Sequence, residues 1–258
     1  MDQSHRQGAG VTTERVTGVG GCELAVHRIG NGRPVVLLHG LYSSANTNWI
    51  KFGHAERLAD AGFEAIMPDL RVHGLSDAPH DPAAYPKGVL VDDLNAVIAA
   101  LGLTDFDLVG FSLGARTAAE AVIEGLAPRR LVLGGMGLGG LTGWDQRVQF
   151  FIGAIDRFDE VRHGDPAFLA VSFMKTMKVD RVAARLLLGS VEDVDVAHLA
   201  RIAMPTAVIC GAKDDDNGSP RALADALPNG RYIEVPGTHM SSVTEPQLGQ
   251  AIAAFLTG

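Results

Sequence analysis

Cysteine, positive charge and long apolar runs are all scarce in this chain, and each scarcity removes a class of function. The two cysteines, Cys22 and Cys210, fall on separate predicted strands and do not make a disulfide framework. Both are expected as small buried residues in a reducing compartment, with the cytoplasm the expected location. Lys and Arg total 22 against 30 Asp and Glu, a formal charge of −8, and no basic cluster is longer than Arg129-Arg130. That balance argues against nucleic-acid or anionic-membrane binding. No apolar run reaches membrane-spanning length, and the N-terminus carries no signal-peptide apolar region. Internal repeats and low-complexity tracts are absent too.

What is present is a core. Hydrophobic residues make up 47% of the chain and charged residues 20%, the balance of a globular domain with a substantial interior. Residues 1–14 are polar and aperiodic and are expected to form a flexible tail. Arg15–Val19 and Cys22–Arg28 read as a hairpin around Gly20-Gly21. Pro34–Leu38 is apolar on both faces, as in a buried parallel strand. A helix is expected around Trp49 to Ala61, a strand over Phe63–Met67, a helix over Leu90–Leu101 and a strand over Phe106–Val109. A helix over Leu113–Glu124 and a strand over Leu131–Leu133 come next. This alternation predicts an α/β fold, a mostly parallel sheet wrapped by helices.

The alternation breaks at Gly134–Gly140, which reads as a flexible glycine run. Helices are expected over Trp144–Phe158, after Asp165-Pro166, after Asp180 and after Asp195. Residues 136–203 therefore read as a helical lid inserted between two halves of a core domain, 15–135 and 204–258. The alternation resumes with a strand from Thr206, a helix over Arg221–Leu227, a strand over Tyr232–Val235 and a last helix from Pro246.

The chemistry is concentrated at strand ends. Gly110-Phe111-Ser112-Leu113-Gly114 is a G-x-S-x-G on a strand-to-helix turn, the context that lifts a serine hydroxyl above the sheet. With 31 glycines in the chain, the pentapeptide alone is a weak signal. It gains weight from the segments after two later strands, Gly211-Ala212-Lys213-Asp214 and Pro236-Gly237-Thr238-His239. Serine, acid and histidine stand in chain order, each just after a strand. A serine hydroxyl needs a base to take its proton and a group to orient that base. Over its length from Arg15 onward the chain resembles an α/β-hydrolase-fold serine hydrolase of the capped, esterase-like kind.

The resemblance implies Ser112 as nucleophile, His239 as general base and acid, and an aspartate as orienting acid. Asp214, Asp215 and Asp216 are consecutive, and the spacing from Gly211 favours Asp214. Backbone amides of Leu41, after His39-Gly40, and of Leu113 are the implied oxyanion donors. The loop Asp69-Leu70-Arg71-Val72-His73-Gly74-Leu75-Ser76-Asp77 resembles a family loop with Val72 in place of its usual glycine. It reads as structural, with substrate binding by Arg71 or His73 the alternative. Arg116 reads either as an ion pair at the lid hinge or as a contact to a substrate carboxylate. Asn217-Gly218-Ser219 matches a glycosylation sequon and is read as a turn.

An apolar pocket between lid and sheet edge is expected from Tyr42, Met136, Trp144, Phe150 and Phe151. Phe173, Met174, Met177 and Met240 complete the candidates. The implied activity is hydrolysis of a small, largely uncharged ester or lactone through an acyl-enzyme, with no cofactor and no metal. A carbon–carbon bond hydrolase acting on a β-diketone-like compound would use the same residues. A lyase, a cofactor-independent oxygenase and a ligand-binding receptor on the same fold stay open. The partner is a small-molecule substrate, and the chain is expected as a monomer or a homodimer.

Overall fold

A computed structural model describes residues 10–258. Eight strands form one sheet in the order β1-β2-β4-β3-β5-β6-β7-β8. They are β1 (Thr12–Thr17), β2 (Glu23–Gly30), β3 (Arg33–Leu38), β4 (Phe63–Pro68), β5 (Asp107–Phe111), β6 (Leu131–Gly134), β7 (Thr206–Gly211) and β8 (Gly230–Val235). β1, β2 and β4 pair antiparallel, and every pair from β4 through β3 to β8 is parallel. The apolar runs of the central strands are explained by a core on each face. Val36, Leu38, Leu108, Leu131 and Leu133 pack into one, while Val35, Leu37, Val109, Phe111 and Val132 pack into the other.

Helices α1 (His54–Asp60), α2 (Val89–Ala100), α3 (Leu113–Ile123), α8 (Pro220–Ala226) and α9 (Pro246–Thr257) flank the sheet. Between β6 and β7 lie α4 (Leu138–Thr142), α5 (Trp144–Asp156), α6 (Phe168–Met177), α7 (Arg181–Leu188) and a 3-10 segment, Val196–Arg201. α5 packs against both α6 and α7. Asp180 caps α7 by accepting from the amides of Val182 and Ala183, and Asp195 caps the 3-10 segment through Ala197. Asp165 accepts from the Ala167 amide at 2.8 Å, but α6 begins only at Phe168.

Three sequence expectations are corrected. Residues 1–9 lie outside the described residues, and the rest of the predicted tail is not a tail: Thr12, Thr13 and Glu14 belong to β1. This is an edge strand with only Val16 buried, so it has no apolar alternation to betray it; ladder pairing with β2 and a 2.9 Å ion pair from Arg28 to Glu14 hold it. The expected helix over 49–61 is interrupted by Gly53 in left-handed geometry (φ 74°), with a π-helical turn, Asn46–Ile50, before it. The glycine run 134–140 is close-packed rather than loose. A Cβ on Gly137 would stand 2.2 Å from the Gly218 carbonyl oxygen, and Gly135 takes φ 56° with Phe111 against it.

Gly137→Ala is therefore expected to cost about 1–3 kcal/mol through forced backbone displacement. Gly153→Ala, on an open face of α5 where nothing lies within 4 Å, is expected to gain up to about 1 kcal/mol. Denaturant midpoints of the two variants check both signs; equal effects would refute the close packing of the run.

Candidate active site

The sharp turn from β5 into α3 carries Ser112 at φ 54°, ψ −115°, a strained conformation for a residue with a Cβ. The glycines on either side are required by contact. A Cβ on Gly110 would meet the Gly114 oxygen at 2.2 Å, and one on Gly114 would meet the Leu38 oxygen at 2.3 Å. The turn is held by Ser112 N donating to Gly134 O at 2.8 Å and Arg116 N donating to Ser112 O at 3.0 Å.

Two loops from later strands reach this serine. After β8, Gly237 at φ 103° turns the chain so that His239 Nε2 lies 3.0 Å from Ser112 Oγ. Ser242 Oγ donates to the His239 carbonyl at 3.2 Å, and the imidazole lies 5.2 Å from the Phe111 ring. After β7, Asp214 places its carboxylate oxygens 3.0 and 3.2 Å from His239 Nδ1. Asp214 and not Asp215 is the acid in contact, and its side chain is 2% exposed. The carboxylate fixes the proton on Nδ1, which leaves the Nε2 lone pair to accept the serine hydroxyl proton.

The loop after β3 is held by buried neutral imidazoles. Leu70 N donates to His39 Nε2 at 2.9 Å, so the His39 proton sits on Nδ1, facing Gly40 O at 2.8 Å. His73 repeats the pattern: Tyr42 N donates to its Nε2 at 2.9 Å, and its Nδ1 faces Arg71 O at 2.8 Å. Burial lowers both imidazoles, His73 to about 3. Asp69 accepts from the amides of Ala45 and Leu75 and contacts His27 Nε2 at 3.1 Å. Burial pushes its carboxyl up, but these partners and the field of His39 hold it below the ordinary range. Among the described residues the amides of Leu41 and Leu113 have no acceptor. Both residues line a small cavity of about 20 Å³ beside Ser112.

A larger cavity of about 700 Å³ opens over Ser112 and His239. Of the pocket residues expected from sequence, Tyr42, Phe150, Phe151, Phe173 and Met240 line it. Met136 and Trp144 border only the small cavity, Met174 is buried in the core, and the Met177 sulfur accepts instead from Thr47 Oγ1 at 3.7 Å. Trp144, Met174 and Met177 sit on predicted helices but on faces turned toward the core or a neighbouring loop, and Met136 lies in the close-packed glycine run. Sequence reading missed Arg147, Leu169, Thr176 and Asp216, all of which line the large cavity. The first three lie on insert helices, and only the packing of insert on sheet brings them there.

A family model described as alpha/beta hydrolase fold matches residues 33–150. The chain is 36% identical over 99 residues to epoxide hydrolase 2 of Siraitia grosvenorii, covering 38% of this chain and 30% of that protein. It is 39% identical over 107 residues to N-formylmaleamate deformylase of Pseudomonas putida, covering 40% and 37%. The chain thus spans about a third of the length of these curated relatives. A bromoperoxidase structure from Bacillus anthracis superposes with a TM-score of 0.79 at 21% identity, over 96% of this chain and all of that one (100%). The chain has the α/β-hydrolase fold.

Within that fold the remaining sequence candidates are structural. Arg71 is fully buried and pairs with Asp93 at 2.8 and 2.9 Å. Arg116 is 1% exposed and donates to the carbonyls of Gly140, Leu141 and Glu192, with Asp193 Oδ1 at 3.4 Å. It ties α3 to both ends of the insert. Asn217 is buried and donates from Nδ2 to Gly135 O at 2.7 Å, so the sequon is a packed turn. Both cysteines are free and buried, and burial pushes the Cys22 and Cys210 thiols up to about 11 and about 12. Asp214, Asp216 and His239 bring possible metal-ligand atoms within 4.8 Å of one another, but the first and last already bond each other. Among the described residues, no helix is long and apolar enough to cross a membrane.

The buried histidines make stability pH-dependent. His73 is held at about 3 against an ordinary 6.5, so its contribution is fully present above pH 6.5 and is lost as pH falls toward 3. His39 and His54, also lowered by burial, act in the same direction. Glu120, raised by burial to about 7, opposes them, because its contribution is lost as pH rises. Unfolding free energy is expected to fall between pH 7 and 5, and His73→Asn to reduce that fall by up to about 1.4 kcal/mol per pH unit. Urea titrations at the two pH values check this; an unchanged slope would rule out a neutral, buried His73.

Proposed function

We propose that the protein is a serine hydrolase that cleaves a small ester or lactone through an acyl-enzyme. The observation that carries this reading is the contact chain Asp214–His239–Ser112, with distances of 3.0 Å at each link. In the first half-reaction Ser112 Oγ attacks the carbonyl carbon as its proton passes to His239 Nε2. Charge then builds on the carbonyl oxygen, where the free amides of Leu41 and Leu113 are the available donors. One such donor is worth on the order of 3 kcal/mol in the transition state. The imidazolium, steadied by Asp214, returns the proton to the leaving oxygen. In the second half-reaction His239 takes a proton from water, which attacks the acyl carbon and releases Ser112.

The epoxide hydrolase likeness does not carry over directly. Attack of a serine oxygen on an epoxide carbon would leave an ether, which water at this site cannot cleave, whereas an acyl ester is cleaved by the same chemistry that made it. The size of the cavity, about 700 Å³, suits a small to medium substrate.

A fluorophosphonate probe, read by intact mass, is expected to add once to the wild type and not to Ser112→Ala. Turnover of an ester and lactone panel, with β-diketones included for carbon–carbon cleavage, is expected to fall about 10⁴-fold or more in Ser112→Ala and His239→Ala. Folded wild type that takes no adduct, or a Ser112→Ala variant that keeps its turnover, would end the acyl-enzyme reading.

A further inference from the structure

The large cavity is mostly apolar, walled by Phe150, Phe151, Phe173, Leu169, Pro166 and Met240, yet a guanidinium enters it. Arg147, on α5, borders both this cavity and the small one that holds Ser112, Leu41 and Leu113. A guanidinium has five N–H donors and is costly to seat in apolar surroundings without acceptors. Among the described residues the Arg147 guanidinium makes one hydrogen bond, from Nη1 to the Asp216 carbonyl, and no carboxylate lies within 4.0 Å of it. Asp214 and Asp216 are near enough for their fields to reach it. Burial lowers its pKa from the ordinary arginine value. Nη2 and Nε have no acceptor among the described residues.

Tyr42 also lines the large cavity, but its hydroxyl is sealed from that space and has no partner among the described residues. Burial raises its pKa well above the ordinary phenol, so the hydroxyl keeps its proton. The two residues converge on one ring: the Tyr42 ring centroid lies 6.0 Å and Arg147 Cζ 5.9 Å from that of Phe151.

We propose that Arg147 binds a carboxylate on the substrate, so that the esters or lactones handled at Ser112 carry a short acyl chain ending in a carboxylate. A carboxylate presents two coplanar oxygens, the geometry that a guanidinium fork matches. A monoanion is favoured over a phosphate dianion because Asp214 and Asp216 bear on the same space. This revises the expectation of an uncharged substrate. It also moves the carboxylate contact from Arg116, whose Nη donors are taken up by backbone carbonyls and Asp193, to a residue on the insert.

The kinetic test rests on the serine-hydrolase reading, so it is paired with a binding test that does not. The kinetic arm compares monomethyl glutarate with methyl valerate, near-isosteric esters that differ in the terminal carboxylate. Wild type is expected to favour the half-ester by roughly 10-fold or more in kcat/KM, the worth of one good hydrogen bond to a charged group. Arg147→Met is expected to bring that ratio to about one, and Arg147→Lys to keep part of it. Arg147→Gln, which can still bond the Asp216 carbonyl, replaces the Met variant if the latter misfolds.

The binding arm titrates Ser112→Ala calorimetrically with glutaramate and with glutaramide. Glutaramate is expected to bind about 10-fold or more tightly, and the difference to vanish when Arg147→Met is added. A wild-type ratio of one or below, or a ratio that survives Arg147→Met, overturns the proposal. Arg147-dependent binding in a protein that takes no fluorophosphonate adduct would instead retain the carboxylate site and reject the hydrolase reading.

Discussion

The structure depends on how closely helix α3 is allowed to approach the sheet. Gly114 places α3 backbone against the Leu38 carbonyl, and Gly110 lets the turn fold back on Gly114, so neither position has room for a Cβ. That approach forces Ser112 into positive φ, a strain of about 1–3 kcal/mol that only over-determined surroundings can hold. They are over-determined here: the Ser112 amide bonds Gly134, its carbonyl starts the helix, and Phe111 below it supports the His239 ring. The same strain lifts the hydroxyl out of the sheet and leaves the Leu113 amide without an intrahelical acceptor. The lifted hydroxyl and the free amide are thus two consequences of one steric constraint.

The loop after β3 is fixed by a different device. Two non-glycine residues, Tyr42 at φ 60° in this loop and Val72 at φ 77° in the loop after β4, sit where L-residues are rare, and Val72 is β-branched. Each lies beside a backbone amide given to a buried imidazole: Tyr42 N to His73, and Leu70 N to His39. An imidazole can accept only while neutral, so the burial that lowers these histidines is also what lets them hold the loop. Asp69 adds a hub of charge-assisted bonds to Ala45, Leu75 and His27. The loop that carries Leu41 is in this sense built from polar groups that have no exit to water.

How much of this was legible in the sequence depends on where each signal is local. The central strands announce themselves because both faces are apolar, and Ser112 and Asp214 because each comes within a few residues of such a strand's end; His239 follows β8, an edge strand with only Val235 buried. The contact between Asp214 and His239, rather than Asp215, was only favoured by spacing; loop geometry after β7 decides it. The first half of β1, Thr12–Glu14, escaped because an exposed edge strand has no hydrophobic period, and the π-turn before α1 because nothing in Asn46–Ile50 distinguishes it from ordinary helix. Met174 and Met177 were assigned to a pocket on composition, and which side of α6 faces the cavity is a matter of tertiary packing that composition does not carry.

Two arginines, Arg116 and Arg147, show the same limit most sharply. Both precede stretches rich in small or apolar residues, and nothing in their flanking sequence sets one apart. Arg116 meets the carbonyls of Gly140, Leu141 and Glu192, groups that a helix end and a loop must leave unpaired, and so becomes a fastener between α3 and the insert. Trp144 extends that fastening, its amide bonded to Asp193 and its ring 5.4 Å from the Arg116 guanidinium carbon. Arg147, one turn further along α5, finds a single carbonyl and then open cavity. Because the start of α5 is pinned by Arg116 and Asp193, the position of Arg147 over Ser112 is set by the fold and not by a loose lid. A charge held there in advance of any ligand discriminates by what it can pair with; on the proposed carboxylate site, the choice of substrate would rest in the insert and the chemistry on the strand-end residues.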